Sequence, residues 1–351
     1  MHSDHLLIES LFGHYAETKN SRLVAIVPIS HGHINRSYKV QTDNTSYFVQ
    51  QINHKVFPEV RKLSNQLNQI AIQLESYYCK HHLPYETLAF YQTLEQEKFV
   101  ELNHNSYWRI ADYKSELISH QSAIHVDMVN SAATAFAHFS KGLSELSIEK
   151  AFEPIHRFHD ISYRYVQLKD AGNKTGEYST VITELLMIAD EVFSILRPVH
   201  EALSTRDLPK RWTHNDTKLN NLLFDNTGNA RCVIDLDTVM PGSVLFDVGD
   251  AIRTICTNLP EDDPSVESLE VQFDYAEVFI KAYSQVYADS LTLREQDLLP
   301  YSGMYMAAIM GYRFLADYLN GNVYYHTSYP EQNLHRATNQ LFLAKALSKL
   351  L

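Results

Sequence analysis

Asp216 stands two residues before Lys218 and five before Asn221, inside the run Trp212-Thr213-His214-Asn215-Asp216-Thr217-Lys218-Leu219-Asn220-Asn221. The apolar triplet Leu222-Leu223-Phe224 follows directly. A second triplet, Cys232-Val233-Ile234, ends in Asp235-Leu236-Asp237, so that Asp235 lies 14 residues past Asn221. The stretch reads as loop, strand, loop, strand. Chains this short between their polar ends leave little freedom: an Asp, a Lys, an Asn and a strand-end Asp are brought from adjoining loops to one place.

Those four groups suit phosphoryl transfer from ATP. Asp216 can orient or deprotonate an acceptor hydroxyl, and Lys218 can neutralise charge growing on the transferred group. Asn221 and Asp235 can hold Mg2+ against the nucleotide phosphates, with Asp237 as a third candidate ligand or a support behind them. Magnesium takes hard oxygen ligands and keeps much of its shell as water and phosphate, so two protein oxygens suffice. His214 is expected to hold the loop rather than react. Asp247 and Asp250, in Phe246-Asp247-Val248-Gly249-Asp250, are expected to cap a helix and brace the catalytic loop.

The rest of the chain fits a two-lobed α+β arrangement. At 351 residues, with 45% apolar and 21% charged content, it has length for a real core and no disorder signature. Strands are expected over Arg22–Pro28, Arg36–Gln41 and Ser46–Ile52, with the turn Thr42-Asp43-Asn44-Thr45 between the last two. Val60, Leu63, Leu67, Ile70 and Leu74 recur at helical spacing through Tyr78. Leu88–Thr93 and Lys98–Leu102 read as a hairpin, and Tyr107–Tyr113 as a last strand before the polar link Lys114-Ser115-Glu116. Beyond about residue 120 the pattern turns helical: Val126–Leu143, then Tyr178–Leu203 with Pro198 as a break, with Asp170–Gly176 as a loop between them. After Phe246 the chain is mostly helical to its end. The expected division is 1–113, a β-rich nucleotide-binding lobe with helices, and 114–351, a larger, mainly helical lobe with the catalytic loop and acceptor site. ATP would lie in the cleft between them.

The formal net charge of −12 argues against a nucleic-acid surface. No apolar stretch approaches the ~20 residues of a membrane span, the N-terminus lacks the layout of a secretory signal, and Cys79, Cys232 and Cys256 are too scattered for a disulfide framework. The cytoplasm is the expected compartment. His31-x-His33, His81-His82 and His156-x-x-His159 lack the partners of a zinc site and read as loop or helix-face residues. Oligomeric state is not legible.

The block Trp212–Asn221 with Val233-Ile234-Asp235-Leu236-Asp237-Thr238-Val239-Met240-Pro241-Gly242 resembles the aminoglycoside phosphotransferase and choline kinase superfamily, which shares the protein-kinase-like fold. It is most similar to the N-acetylhexosamine 1-kinase branch. Gln51–Phe57, Phe158-His159-Asp160 with Arg164-Tyr165, and Arg313–Tyr325 carry the same resemblance, which extends from about residue 22 to 345. It implies a kinase that moves the ATP γ-phosphate to the anomeric hydroxyl of an N-acetylhexosamine, GlcNAc or GalNAc. It also implies that Arg313 and Tyr324, with Asp317 behind them, belong to the sugar site. Read from spacing alone, Arg313 and Asp317 are an i, i+4 surface pair.

Two nucleotide-side positions stay open. Gly32, between two strands, suits either a phosphate-covering turn or a plain hairpin turn. The strand residue that in kinases supplies a phosphate-binding Lys falls within Phe48-Val49-Gln50-Gln51-Ile52, where no Lys stands. Gln50 or Gln51 can donate a hydrogen bond but no charge, Lys39 and Lys55 are the nearby cations, and no Glu is placed mid-helix to pair with one. Alternatives within the fold are a kinase of choline, ethanolamine, homoserine or an aminoglycoside. Outside catalysis, the alternative is a nucleotide-binding pseudokinase.

Overall fold

The computed structural model describes residues 2–29, 34–174 and 179–351. The β-branched and aromatic runs of the N-terminal third form β1 (Leu23–Ile29), β2 (Arg36–Thr42), β3 (Ser46–Ile52), β4 (Val100–Asn103) and β5 (Ser106–Asp112). They make one antiparallel sheet in the order β1-β2-β3-β5-β4. Alternation along these strands gives the sheet two distinct faces. Tyr38, Val40, Tyr47, Val49, Trp108 and Ile110 are buried beneath helix α1 (His2–Phe12), which contributes Ile8, Leu11 and Phe12. The register Ser37↔Gln50↔Arg109 sets those three side chains on the opposite face, toward the rest of the molecule. Helix α2 (Val60–Lys80) packs there through Val60, Leu63, Leu67, Ile70 and Leu74.

Residues 114–351 are mainly helical. The small strands β6 (Ile118–Ser119), β8 (Leu222–Phe224) and β9 (Ala230–Val233) pair in one sheet, and β7 (Arg211–Thr213) pairs with β10 (Met240–Gly242) in another. Around them lie α3 (Val126–Gly142), α4 (Ile161–Lys174), α5 (Thr180–Ile195), α6 (Arg197–Ser204), α7 (Val244–Ile255), α8 (Phe273–Tyr287), α9 (Leu293–Leu298), α10 (Ser302–Leu319) and α11 (Gln332–Leu347). α10 is apolar nearly all round, as a helix enclosed by others must be, and it packs on α4, α7 and α11. The α7–α10 contact is tight: a Cβ built on Gly249 would meet the Ser302 carbonyl oxygen at 2.1 Å. No helix among the described residues is long and apolar enough to cross a membrane.

Most element boundaries agree with the sequence reading; four differ. The hairpin at the sheet edge is β4–β5, turning at Asn105, which takes the left-handed φ of 62°. Residues 88–93 make only single bridges, Phe90 to Ala111 and Thr93 to Tyr15. The expected loop at 170–176 is helical through Lys174, because Leu168 and Ala171 are buried in the core; residues 175 and 176 lie outside the described residues. The single helix expected over 178–203 is two, broken at Leu196, with Pro198 in the first turn of α6, where its missing N–H costs nothing. α1 has no counterpart in the sequence reading.

Candidate active site

β7 and β10 are hydrogen-bonded neighbours, so the loop leaving β7 and the loop arriving at β10 start side by side. The first carries residues 214–221 and the second 234–239. Asn215 and Asp235 both adopt left-handed backbone, φ 65° and 60°, a conformation that Asn and Asp tolerate better than most residues. The loops are stitched together. The Asn215 amide donates to the Thr213 and Thr238 carbonyls at 3.0 Å, and Thr238 Oγ1 donates to the His214 carbonyl at 2.8 Å. His214 receives the Asp216 N–H on Nδ1 at 3.2 Å, so Nε2 carries the proton and donates it to the Ile234 carbonyl at 2.9 Å. One neutral imidazole thus ties the Asp216 loop to the Asp235 loop, the holding role expected of it.

Beneath them lies Asp247, in the first turn of α7 and wholly buried. Its two oxygens accept the N–H groups of His214 (2.9 Å) and Asn215 (2.8 Å), and its carbonyl accepts Thr217 Oγ1. Burial pushes the Asp247 carboxyl up to about 6, against the His214 and Asn215 contacts, which favour the ion. This is the brace expected from the sequence. Asp250 instead pairs with the buried Arg253 at 2.7 Å, and Arg253 reaches Glu261 at 2.7 Å. His159 comes up from the segment before α4, placing Nε2 3.0 Å from the Asn215 carbonyl oxygen. Burial pushes it down to about 3, so it is neutral.

Asp216, Lys218 and Asn221 meet on this base. Lys218 Nζ lies 2.9 Å from one Asp216 oxygen, and the Asn221 amide donates to the other at 2.8 Å and to the Asp216 carbonyl at 2.7 Å. Burial raises the Asp216 carboxyl, but the Lys218 charge and hydrogen bond outweigh it and bring it down to about 2. Lys218, opposed by burial, is held protonated by the Asp216 charge and then by Asp250. Asp235 lies close enough to feel Asp216 and Asp237. The protein packed around it first, then those two charges, push its carboxyl up to about 7, even though the residue is exposed to solvent.

A cation fits this arrangement. Both Asn221 amide hydrogens are spent on Asp216, which leaves the amide oxygen as the free ligand atom. Asp235 makes no ion pair among the described residues and is crowded by negative charge, which a divalent ion relieves. Two open oxygens and no cluster of three His, Cys, Asp or Glu side chains among the described residues make a magnesium-like site rather than a zinc-like one.

Asp237, a third metal ligand or a support behind the others in the sequence reading, has both its oxygens engaged by other side chains. Both its oxygens are held by Arg109 Nη2, at 2.9 and 2.7 Å, and Asn35 Nδ2 donates to one of them at 2.6 Å. Gln50, the candidate nucleotide contact, is buried. Its amide nitrogen donates to Ser37 Oγ at 2.9 Å and its oxygen accepts from Arg109 Nε at 2.9 Å and from Nη2. Lys39 stands on the same sheet face, with its ammonium 4.5 Å from the Tyr113 ring, while Lys55 is exposed. Gly32 lies outside the described residues.

Arg313 and Asp317 form no i, i+4 pair. The Asp317 carboxylate instead accepts the backbone N–H groups of Val323, Tyr324 and Tyr325 and the Asn333 amide, all between 2.8 and 3.0 Å. It pins the segment that carries Tyr324 and Tyr325. Arg313 is left stacked on Phe158, Tyr324 and Tyr325, 5.0 to 5.8 Å from their ring centres. Phe158 in turn packs on His159 at 4.2 Å, and His159 bonds the Asn215 carbonyl oxygen and feels the charges of both Arg313 and Asp216, so a chain of contacts links Arg313 to the catalytic loop. Arg164, bonded to the Phe158 carbonyl oxygen, joins them.

Nothing in the local sequence marks Asn35, His159 or Arg164 as site residues, and for Arg109 the one signal is a charge in the middle of the apolar strand Tyr107–Tyr113.

Residues 25–288 match the model of the phosphotransferase enzyme family. Among solved structures, the chain is similar to a microcompartment-associated aminopropanol kinase, with a TM-score of 0.64 and 15% identity over 99% of this chain and 97% of that one. A spectinomycin phosphotransferase, solved with ADP and spectinomycin, gives 0.62 at 15% identity over 99% and 98%. An aminoglycoside phosphotransferase from Alicyclobacillus acidocaldarius gives 0.60 at 13% identity over 97% and 94%. These likenesses extend the α+β, protein-kinase-like fold over essentially the whole chain, and with three quarters of it matched by the family model the protein belongs to the phosphotransferase enzyme family.

Proposed function

We propose that the protein is an ATP- and Mg2+-dependent kinase that phosphorylates the anomeric hydroxyl of an N-acetylhexosamine, giving the sugar 1-phosphate. The observation that carries the catalytic part is the convergence of Asp216, Lys218, Asn221 and Asp235 from two adjoining loops. Residues 1–113 form the nucleotide lobe and 114–351 the catalytic and acceptor lobe. The resemblance of Arg313–Tyr325 to the hexosamine kinase branch supports the acceptor. The cytoplasm remains the proposed compartment.

When bound by Asn221 and Asp235, magnesium supplies charge neutralisation on the nucleotide phosphates. Asp216 Oδ accepts the hydrogen bond of the acceptor hydroxyl and aims its oxygen at the γ-phosphorus. The new O–P bond forms as the bond from phosphorus to the β–γ bridging oxygen breaks, ADP leaves, and the hydroxyl proton passes to Asp216 and on to water. A carboxylate held near pKa 2 is a weak base. Its main contribution is therefore orientation, as a loose phosphoryl transition state requires. If Lys218 turns toward the γ-phosphate, Asp216 loses its partner and becomes more basic as the hydroxyl proton is released.

Two of the similar proteins are an aminopropanol kinase and a spectinomycin phosphotransferase. Arg164 and Arg313 make no ion pair with a carboxylate among the described residues, and, near enough to His159 to act on it as Asp216 does, they disfavour a cationic acceptor and favour a polyol. The test is ATP consumption with a panel of free hexosamines, amino-alcohols and aminoglycosides, for the wild type and Asp216→Asn. An N-acetylhexosamine is expected to be the preferred acceptor, and the variant to lose roughly 10²- to 10⁴-fold in kcat. Preference for an amino-alcohol overturns the acceptor, and a barely changed rate in the variant overturns the role of Asp216.

A further inference from the structure

A buried arginine stands where the sheet meets the catalytic loops. Arg109, on β5, is 2% exposed. Nη2 holds both oxygens of Asp237, Nε and Nη2 hold the Gln50 side-chain oxygen, and the guanidinium lies 4.0 Å from the centre of the Phe90 ring. Asp237 is also tied to Asn35, whose own side-chain oxygen accepts the Asn53 N–H at 2.9 Å. Arg109 of β5, itself bonded to Gln50 of β3, and Asn35 just before β2 thus fasten the sheet through one carboxylate to the loop that carries Asp235 two residues earlier.

Helix α2 joins from the other side. Gln66 donates to the Val239 carbonyl oxygen at 2.9 Å, two residues beyond Asp237. Arg109 Nη1 and Ser64 Oγ, both buried and without a partner, line one cavity of about 10 Å³. A cavity of that size, with polar groups on both sides, holds about one water. That water would link α2 to the guanidinium.

With its donors directed at Asp237, Gln50 and this cavity, Arg109 has none to offer a nucleotide phosphate. We infer that Arg109 is the positioning cation of the nucleotide site: by holding Asp237 through both oxygens it sets the 235–237 loop against the sheet and so places Asp235. The strand lysine of other kinases can move between a helix carboxylate and the phosphates. Here the strand charge sits one strand over and is anchored to the metal-bearing loop itself. Its carboxylate partner is Asp237 of that loop, so no helix glutamate is needed to hold it. Nη2 faces Asp237 while Nε reaches Gln50 and Nη1 faces the cavity, a spread of donors over three nitrogens that the single ammonium of Lys does not have.

The inference rests on Asp235 being a magnesium ligand. The test is calorimetric binding of a non-hydrolysable ATP analogue, with and without Mg2+, to the wild type, Arg109→Lys and Asn35→Ala, with thermal melting beside it. Asn35 is only half-buried, so its variant keeps the test informative if Arg109→Lys does not fold. Partners behind a metal ligand typically matter about 10- to 100-fold in metal affinity. The Mg2+-supported affinity is expected to fall by about that factor in Arg109→Lys and about 3- to 10-fold in Asn35→Ala, with the Mg2+-free affinity unchanged within about threefold. Equal losses with and without Mg2+ would make Arg109 a phosphate contact or a merely structural residue and overturn the inference. So would folded variants whose Mg2+ response matches the wild type. A wild type indifferent to Mg2+ removes the metal assignment itself, a separate failure visible before any variant is measured.

Discussion

Replacing Asp247 by Asn tests the foundation of the catalytic loop. The carboxylate is fully buried and holds two backbone N–H groups, those of His214 and Asn215. Asn keeps one acceptor oxygen and turns an NH2 toward the other N–H, leaving a buried donor unpaired at a cost of about 1–3 kcal/mol. Relief from burying a charge offsets part of that cost, and by how much depends on pH. The Asp247 pKa is raised from 3.8 to about 6 on folding. A raised carboxyl favours the folded state when protonated, so its contribution is fully present below pH 3.8 and is lost as pH rises through about 6. Linkage then gives the wild type about 1.4 kcal/mol more stability from this group at pH 5 than at pH 8. Every other titrating group cancels in the difference between wild type and variant. Urea denaturation at the two pH values should therefore show Asp247→Asn further below the wild type at pH 5 than at pH 8, by about 1.4 kcal/mol. At pH 7.5 the misplaced loop should also cost roughly 10²-fold in kcat. A gap that is equal at both pH values, or wider at pH 8, means that the two N–H bonds keep the carboxyl ionised at pH 5 and that the burial argument is wrong.

Asp235 must shed its proton to accept a cation, and its carboxyl is raised to about 7. Mg2+-supported nucleotide affinity should hold above that pH and weaken about tenfold per unit below it, a slope that calorimetry should find absent in Asp235→Asn. Gly249→Ala places a methyl against the Ser302 carbonyl of α10; a backbone atom has to move, and chemical denaturation should register about 1–3 kcal/mol of lost stability. Arg313→Ala removes the cation stacked among Phe158, Tyr324 and Tyr325. It should raise the acceptor KM about tenfold or more and leave the KM for ATP within about twofold; equal changes in both would take Arg313 out of the acceptor site.

What the sequence made legible follows from the range of the forces involved. β2, β3, α2 and α3 are written in local periodicity, and their ends agree with the structure to within a residue or two. The spacing from His214 to Asp237 is also local, so the shared site could be read from one strand pair. α1 escaped because eleven residues do not make a stable helix alone; its apolar stripe acquires meaning only against Tyr38, Tyr47 and Trp108. α4 runs on past the polar Asp170 because the packing of Leu168 and Ala171 overrides weak helix formers. The Arg109–Asp237 pair spans 128 residues of sequence. Nothing near either residue announces the other, and Asp237 read on its own looks like one more metal carboxylate. Arg313 and Asp317 show the converse: their spacing invites a helix-surface pair, and the demand of three loop N–H groups takes the carboxylate away.

The acceptor and the position of transfer can be read in one experiment. The protein is incubated with ATP, Mg2+ and either free N-acetylglucosamine or its 1-O-methyl glycoside, and the product is examined by phosphorus NMR. The account predicts a single sugar phosphate coupled to the anomeric proton from the free sugar and no product from the glycoside. Phosphate transferred to the blocked sugar, or coupled to a different proton of the free one, would contradict it.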